Sequence, residues 1–359
     1  MKVLFVCTTG GSGRRQLGGA ERILTEIIPA HARSGVEVVA ATSDDEVGSE
    51  LRAAGVPWVE LSATSRIDLN YVRELRRLVH EVKPDVVCAH LLSAAMHARA
   101  ALSTERRTPL VVTLHNSLWQ YRDAASSLKQ KAAIQSNITL DLAMRRLRPH
   151  ATVAVSEFEA DELRNRGHVS KNIHLIPNPL PVTWPAPTPA AEPVVGRRPV
   201  VGFMGRLELE KGVDLLSEVA SHLPEADFKV AGAGSVPVAG QPNLELVGRV
   251  NAADFLRGID CLVVPSRVES FGLSALEALS LGVPVVHSGA GGLAEVTRHA
   301  TGTLAFRADL TPAAIAGSIR EATAGTPPER REAVAKWYAE EYAFERCVQR
   351  WQDLYRSLL

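Results

Sequence analysis

Short apolar runs alternate with amphipathic stretches along the first half of the chain. The runs are rich in β-branched residues and almost free of polar ones, which is typical of strands covered on both faces of a sheet. They are Val3–Cys7, Val36–Thr42, Val86–His90, Leu110–His115 and Ala151–Ser156. The amphipathic stretches cover Ala20–Ser34, Leu69–Val82, Leu91–Leu102 and Asp123–Leu147. This alternation predicts an α/β fold with a doubly wound parallel sheet.

A segment crowded with proline, residues 177–199, interrupts this pattern. Because proline removes backbone donors and favours extended backbone, we predict a linker over 181–199. The alternation then restarts, with predicted strands at Val200–Met204, Phe228–Ala231, Leu244–Val247, Cys261–Pro265 and Val283–His287. We therefore predict two doubly wound, Rossmann-like domains, residues 1–180 and 200–335, that face a central cleft. Ligands of such sheets bind beyond the carboxyl ends of the strands.

The last part of the chain, from Glu329 to Leu359, has the pattern of one long amphipathic helix with room for a kink. We expect residues 336–359 to pack back on the first domain, and the aromatic side chains of the segment to pack against the body of the protein rather than bind a cofactor. The length of 359 residues is consistent with two domains, since single cores seldom grow beyond about 250–300 residues.

Composition and charge narrow the class of protein. Hydrophobic residues make up 46% and charged residues 22% of the chain, which excludes a disordered or fibrous protein. The 40 basic and 40 acidic residues cancel, so we expect no nucleic-acid partner, because such proteins carry excess basic charge. The total hides an asymmetry: residues 1–180 hold 23 basic and 19 acidic residues, and the remainder holds 17 and 21.

The cysteines and the apolar runs predict a location. Cys7, Cys88, Cys261 and Cys347 form no CxxC pair, and the expected state is a set of small buried thiols in a reducing cytosol. The first residues, MKVLFVCTTGG, are broken by polar residues too soon for a signal peptide, and no run approaches the ~20 apolar residues of a membrane span. We expect a cytoplasmic protein.

One basic cluster leaves peripheral contact with the inner face of the membrane open. Arg145, Arg146 and Arg148 lie beside Leu142 and Leu147, a combination that suits a membrane surface. The simpler interpretation is a solvated helix end, which we favour from the sequence alone.

The segment VVPSRVESFGLSALE carries the most informative chemistry. A strand ends near Pro265, and a helix begins near Gly272 or Leu273, so its free amides form a natural anion site. Glu269 lies in the loop. Glu277 lies about one turn into the helix, where a carboxylate can accept two hydrogen bonds from a vicinal diol such as a ribose. Taken alone, both residues would be ordinary surface acids.

The segment GFMGRLELEKG begins at the first strand of the second domain. Arg206 can bind a phosphate with two donors, and Lys211 adds a compact charge, so together they can stabilise a diphosphate leaving group. The sequence has no Asp-x-Asp triplet or His/Cys cluster to hold a metal, and we expect that none is required. As a lone pair, these two residues would be solvated surface charges.

The segment TTGGSGRRQLGGAE follows the first strand, and its glycines let the backbone approach a phosphate or sugar closely. It has no well-placed GxGxxG, and no acidic residue ends the second strand, so a nicotinamide cofactor is disfavoured. Arg14 and Arg15 in this loop could contact an acceptor or the donor phosphate, or be solvated.

Together these residues resemble the retaining GT-B glycosyltransferases of family 4 (glycosyl transferases group 1) over nearly the whole chain. The most specific elements are Glu-x7-Glu at Glu269 and Glu277 and GRLxxxKG with Arg206 and Lys211. Further agreement comes from Gly18-Gly19-Ala20-Glu21, Val155-Ser156-Glu157, Ile176-Pro177-Asn178, Pro265-Ser266, Gly282-Val283-Pro284 and Gly291-Gly292-Leu293-Ala294-Glu295. The family often has Asn-Gly where this chain has Asn178-Pro179.

The resemblance implies roles in binding the donor. Arg206 and Lys211 would bind the diphosphate and Glu277 the ribose, while Glu269 and the backbone after it would hold the sugar and phosphate. The backbone of 248–250 would contact the base, and a glycine pair in the first domain would close over the phosphate or sugar. The implied donor-binding residues are Gly18, Gly19, Arg206, Lys211, Gly248, Arg249, Val250, Glu269, Ser270, Phe271, Gly272, Leu273 and Glu277.

The resemblance also places residues at the reacting sugar. A histidine after the fourth strand of the first domain contacts the transferred sugar in related enzymes, and His90 occupies the matching place; its simpler role would be to cap a strand end. The implied catalytic residues are Glu269, His90, Arg206 and Lys211. The expected acceptor-side residues are His115, Asn116, Arg14 and Arg15.

The implied reaction moves a sugar, with retention, from a nucleotide diphosphate sugar to a hydroxyl group. The expected donor is a UDP-sugar, used by a hexosyltransferase that needs no metal or cofactor. The acceptor would be a glycan, a lipid-linked sugar or a small natural product. Two alternatives stay open: a nucleotide-sugar epimerase or hydrolase on the same fold, and a nucleotide-sugar-binding protein without catalysis.

Overall fold

The computed structural model describes residues 1–7, 19–43, 46–65, 67–148, 150–166, 172–187 and 197–359. The chain divides into two compact units. The first contains Met1–Pro181 and Phe344–Leu359, and the second contains Val182–Ala343. Each unit is a parallel sheet with helices, so the predicted α/β class with two Rossmann-like sheets is confirmed.

The first unit is built on seven parallel strands in the order β3-β2-β1-β4-β5-β6-β7. They are β1 Lys2–Cys7, β2 Glu37–Thr42, β3 Trp58–Glu60, β4 Val86–His90, β5 Leu110–Thr113, β6 Ala151–Ala154 and β7 Ile173–Leu175. The strand order reverses beside β1, which pairs with both β2 and β4. Residues that end β1 and β4, Cys7 and His90, are direct partners in the sheet.

Among the described residues of this unit, seven helices connect the strands: α1 Gly19–Arg33, α2 Glu46–Ala53, α3 Leu69–Val82, α4 Leu92–Ala101, α5 Leu118–Ala124, α6 Leu128–Leu147 and α7 Glu157–Asn165. The single helix predicted over Asp123–Leu147 is wrong, because two helices meet there. The Ser127 hydroxyl accepts a hydrogen bond from the amide of Gln130 and begins α6 as an N-cap, and Ser117 begins α5 in the same way.

The second unit has six parallel strands in the order β10-β9-β8-β11-β12-β13. They are β8 Val200–Met204, β9 Asp227–Ala231, β10 Leu244–Gly248, β11 Cys261–Val264, β12 Val285–His287 and β13 Ala305–Arg307. Its helices are α8 Leu216–Ser221, α9 Ala252–Arg257, α10 Leu273–Ser280, α11 Leu293–Val296, α12 Pro312–Thr323 and α13 Pro328–Glu341.

The last helix, α14, runs from Phe344 to Ser357 and belongs to the first unit. The pattern from Glu329 onward predicts one helix, but the structure has two with a break after Glu341, because the segments on either side pack into different units. α14 packs on α1 and buries a face at helical spacing: Phe344, Cys347, Val348, Trp351, Leu354 and Tyr355.

The basic end of α6 is not as the sequence predicts. Arg145 is buried and donates from Nε to Asp141 Oδ2 at 2.7 Å, and Asp141 also accepts from the buried Arg99 at 2.5 Å. Arg148 is buried and donates to the carbonyl of Thr108 at 2.7 Å. For Arg145 and Arg148, both the solvated helix end and the membrane-facing cluster are therefore wrong.

Arg146 and Leu147 are the exposed members of that cluster. In the part of the chain that the structure describes, no helix is both long enough and apolar enough to cross a membrane.

Candidate active site

Two segments that carry predicted chemistry leave neighbouring strands of the second sheet. β8 and β11 are paired in parallel, so their carboxyl ends lie at the same edge. The segment after β8 carries Arg206 and forms a short 3-10 helix, Leu209–Lys211. The segment after β11 carries Glu269 and leads into α10. The predicted cluster therefore assembles from positions far apart in the sequence.

Lys211 and Glu269 form the central ion pair of this edge. Lys211 Nζ lies 2.6 Å from Glu269 Oε2, and the two side chains are 21% and 14% exposed. Ser266 also donates to Glu269 Oε2 at 3.3 Å. Arg206 is more exposed and donates to Glu210 Oε1 at 2.8 Å. The ammonium of Lys211 is thus fixed in place and still reachable by a ligand.

A second arginine, Arg267, connects the two segments through hydrogen bonds. Arg267 binds both carboxylate oxygens of Asp214, at 2.7 and 2.8 Å, and donates to the carbonyl of Leu209 at 2.7 Å. Its backbone amide donates to the carbonyl of Glu210. A bidentate guanidinium–carboxylate pair restricts both position and angle. Sequence reasoning missed Arg267 and Asp214, which carry no motif of their own.

The close approach of these segments requires glycine at position 212. Gly212 has a φ of 71°, and a Cβ there would lie 2.0 Å from the carbonyl oxygen of Pro265. Any side chain would push apart the loops that carry Lys211 and Glu269.

The helix α10 begins at Leu273, where the sequence predicts it, and is preceded by Gly272 with a φ of 106°. Glu277 is 2% exposed, so the interpretation of this residue as an ordinary surface acid is wrong. A carboxylate buried among the apolar residues of α10 is costly unless polar partners offset the loss of water.

The residues predicted to contact the base lie at the end of β10, on the same edge of the sheet as the segment after β9. Gly248 has a φ of 69°, and its carbonyl accepts from the amide of Gly232 at 2.8 Å. Arg249 and Val250 follow it and are exposed.

The two histidines predicted to act lie together at the carboxyl edge of the first sheet. His90 ends β4, His115 follows β5, and His90 Nδ1 is 2.9 Å from His115 Nε2. His90 is 1% exposed, and its Nε2 is 3.2 Å from the Sγ of Cys88. His115 is partly exposed and has a φ of 64°, a strained conformation for a non-glycine residue.

Both rings are neutral at pH 7. Burial, together with the neighbouring His115 and His31, lowers the pKa of His90 well below its ordinary value. Burial also lowers the pKa of His115 to about 4. This pair can donate or accept hydrogen bonds, but it offers no positive charge to a phosphate.

The other predicted residues are placed as follows. Asn116 is partly exposed beside His115, and Gly19 is the first residue of α1. Gly18, Arg14 and Arg15 lie outside the described residues. Among the residues that the structure describes, no group of three or more His, Cys, Asp or Glu side chains is arranged to hold a metal ion.

Two family models match this chain in succession. The model for Glycosyltransferase Family 4 matches residues 17–184, and the model for Glycosyl transferases group 1 matches residues 198–324. The chain belongs to the family 4, group 1 glycosyltransferases of GT-B fold. The second match contains Arg206, Lys211, Glu269 and Glu277, so the ion pair and the buried carboxylate lie inside the family's own region.

Curated relatives resemble part of this glycosyltransferase. D-inositol 3-phosphate glycosyltransferase of Xylanimonas cellulosilytica is 34% identical over 175 residues, which are 41% of this chain and 42% of that protein. Glycogen synthase of Dechloromonas aromatica is 36% identical over 116 residues, 28% of this chain and 24% of that protein. These matches span less than half of the relatives' length.

Solved structures resemble the whole chain. Sucrose-phosphate synthase of Thermosynechococcus elongatus has a TM-score of 0.79 at 18% identity, over 99% of this chain and 98% of that one. HepE of Anabaena, solved in complex with UDP-glucose, has a TM-score of 0.79 at 19% identity, over 99% and 100% of the two chains. At these identities the likeness establishes the GT-B fold.

Proposed function

We propose that this glycosyltransferase moves a hexosyl group from a UDP-sugar to a hydroxyl of a glycan, lipid-linked or natural-product acceptor. The reaction proceeds with retention at the anomeric carbon and requires no metal. The observation that carries the proposal is the Lys211–Glu269 pair, 2.6 Å apart, placed one short loop before α10 and its buried Glu277. The HepE neighbour, solved with UDP-glucose, supports the choice of donor.

Lys211 and Arg206 act on the leaving group. When the bond between the anomeric carbon and the diphosphate oxygen breaks, negative charge grows on the diphosphate. The ammonium, the guanidinium and the free amides at the start of α10 stabilise that charge, as fixed donors do for other developing anions. Glu277 accepts hydrogen bonds from the ribose, and Glu269 accepts them from hydroxyls of the transferred sugar.

The acceptor hydroxyl forms the new bond on the face that the diphosphate leaves. Its oxygen bonds to the anomeric carbon, and its proton passes to a phosphate oxygen of the departing nucleotide. Atoms and charge balance without a protein nucleophile. Glu269 remains a binding carboxylate, because its Oε2 is already occupied by Lys211 and Ser266.

Of the two histidines, His115 is the better candidate to contact substrate. His90 is fully buried, and both of its ring nitrogens are engaged, by Cys88 and His115. His115 is partly exposed as a residue, while its Nδ1 is buried and has no hydrogen-bond partner among the described residues. We therefore assign contact with a substrate oxygen to His115 and support of that ring to His90.

A donor screen tests the function directly. Thermal shifts with UDP-, ADP- and GDP-sugars select the nucleotide, and mass spectrometry of incubations with candidate acceptors detects the transferred hexose. We expect stabilisation by a UDP-sugar and a product heavier by one hexose only when an acceptor is present. Equal loss of donor with and without acceptor would indicate a hydrolase, and binding without any turnover would indicate a non-catalytic binder. Either outcome overturns the proposal.

A further inference from the structure

The segment that leads into the second unit is attached to α10 by a tryptophan. The sequence predicts a linker here, yet the indole Nε1 of Trp184 donates to the hydroxyl of Ser280, 2.8 Å away. Ser280 is the last residue of α10 and is fully buried. Trp184 is followed by Pro185. Because a residue before proline is largely confined to extended backbone, Trp184 loses less conformational freedom when it docks on the helix.

Ser280 connects this tryptophan to the backbone of Glu277. The hydroxyl of Ser280 donates to the carbonyl of Glu277 at 2.8 Å. The direction of both hydrogen bonds is fixed by chemistry, since an indole N–H can only donate and a carbonyl oxygen can only accept. The hydroxyl between them therefore accepts from Trp184 and donates to Glu277. Two consecutive hydrogen bonds thus run from the linker segment to the residue assigned to the ribose.

The carbonyl of Glu277 lies where α10 ends. In a continuing helix it would accept from the amide of Leu281, but that amide donates to the carbonyl of Ala278 at 3.0 Å. The chain then leaves the helix through Gly282, whose φ is 73°. The hydroxyl of Ser280 therefore supplies a donor that the last turn of the backbone does not give to Glu277.

The length of α10 makes this end important for the site. The helix has eight residues, and Glu277 is buried in its last turn. Helix ends fray when their terminal groups are not bound, and fraying of this turn would move Glu277 itself. A carboxylate that binds two neighbouring hydroxyls must keep its position closely, because a small displacement lengthens both hydrogen bonds. The bonds of Ser280 and Trp184 oppose that displacement.

We propose that Trp184 and Ser280 are positioning residues that hold Glu277 where it accepts hydrogen bonds from the ribose hydroxyls of the donor. The effect on ribose recognition rests on the proposed function, whereas the stability of the helix end is a property of the free protein. A segment predicted as a linker thereby contributes to recognition of the nucleoside through the end of α10.

Isothermal titration with UDP and with 2′-deoxy-UDP tests this proposal, because the deoxynucleotide lacks one hydroxyl that Glu277 would bind. We expect the wild type to bind UDP about tenfold more tightly than 2′-deoxy-UDP. Trp184→Phe keeps an aromatic ring without the N–H, and Ser280→Ala removes the hydroxyl. In both variants the affinity for UDP should fall about 3- to 10-fold, while the affinity for 2′-deoxy-UDP stays nearly unchanged.

Thr323→Val is the matched control. The hydroxyl of Thr323, the last residue of α12 in the same unit, donates to the carbonyl of Ile319 at 2.8 Å. This variant should leave both affinities unchanged. The proposal is overturned if the wild type binds both nucleotides equally, if Trp184→Phe and Ser280→Ala keep the wild-type affinity for UDP, or if they lose affinity for both nucleotides to the same extent.

Hydrogen exchange of the free protein measures the helix end without a ligand. We expect faster exchange over residues 277–283 in Ser280→Ala and Trp184→Phe, and no change there in Thr323→Val. Unchanged exchange in the first two variants overturns the proposal, and if Ser280→Ala fails to fold, Trp184→Phe decides it. The expected nucleotide selectivity without transfer from any UDP-sugar would refute the proposed transferase and leave this inference intact.

Discussion

The two units place polar groups at the same end of a parallel sheet but give them opposite electrostatic character. In the first unit, His90 and His115 are neutral and are held by buried partners. In the second, Lys211 and Glu269 are charged and partly exposed. Charge suits the stabilisation of a departing diphosphate, and a neutral, oriented donor suits recognition of a hydroxyl. The two edges therefore suit different ligand atoms, the charged pair an anion and the neutral pair a hydroxyl.

The first unit also contains a buried network of charged side chains. Removing its central carboxylate has the largest expected effect on stability. Asp141 lies between Arg99 and Arg145, with all three side chains at most 7% exposed. Asp141→Asn leaves two buried guanidinium groups without a carboxylate, so we expect a loss of about 3–5 kcal/mol in the free energy of unfolding. Urea denaturation of the whole chain measures it.

The control for Asp141→Asn is Glu81→Gln, which breaks the exposed pair of Arg77 and Glu81 in α3, where the side chains are 80% and 56% exposed. This substitution should leave the free energy of unfolding nearly unchanged, because exposed ion pairs contribute little to stability. Equal losses in the two variants would contradict the structural role of the buried arginine network.

Acid should destabilise the first unit before the second. In the first unit, burial lowers the pKa of His31 and His115 to about 4 and that of His150 to about 3. In the second unit, burial lowers the pKa of His287 to about 4. Each favours folding above pH 6.5, and that contribution is lost as pH falls from 6.5 toward 4, because the unfolded chain binds the proton first. By pH 5, the contribution of each of these histidines to the free energy of unfolding falls by roughly 1–2 kcal/mol.

One group of the first unit opposes this trend. Burial raises the pKa of Glu159 to about 7, so its cost to the fold decreases as pH falls through 7 toward 4.5. With His90, whose pKa is also lowered by burial, at least four histidines of this unit oppose one carboxyl. Hydrogen exchange at pH 7.5 and 5, corrected for intrinsic rates, should show a greater loss of protection in residues 1–181. Equal losses in both units would contradict the contrast between them.

The smallest expected effect concerns Arg267, which connects the segment of Lys211 to the segment after β11. Arg267→Gln removes the bidentate contact to Asp214 and the bond to Leu209, so we expect kcat/KM to fall about tenfold through misplacement of the ion pair. Arg320→Gln is matched, because Arg320 binds Glu225 and the carbonyl of His222 on the same unit. A steady-state assay in which both variants behave alike would remove the positioning role from Arg267.

The sequence predicts the buried apolar strands well and the breaks between helices poorly. Val86–His90 has the predicted bounds, since its run of apolar residues is buried on both faces. The strands β3, β7 and β13 have three residues each, too few to establish a period, and were not predicted. The break between α5 and α6, where Ser127 caps the second helix, was not predicted.

The residues of the site likewise include some that the sequence predicts and some that it misses. Motif spacing pointed to Lys211 and Glu269, 58 positions apart, and the structure brings them to 2.6 Å. The contact of Arg267 with Asp214 depends on how two loops pack, and no local pattern encodes it. Cys88 and Cys7 are buried as expected of small apolar residues, yet the thiol of Cys88 also contacts His90, two positions along the same strand, a contact that was not predicted from the sequence.

The central claim is that the charged edge of the second unit binds the diphosphate of the donor. Isothermal titration with UDP tests it in the wild type, in Lys211→Ala and in Lys336→Ala, where Lys336 is an exposed lysine of α13 in the same unit. We predict that UDP binds the wild type and Lys336→Ala equally, and Lys211→Ala about ten- to a hundredfold more weakly, the loss of one charged hydrogen bond. Equal affinity in all three proteins would contradict the account.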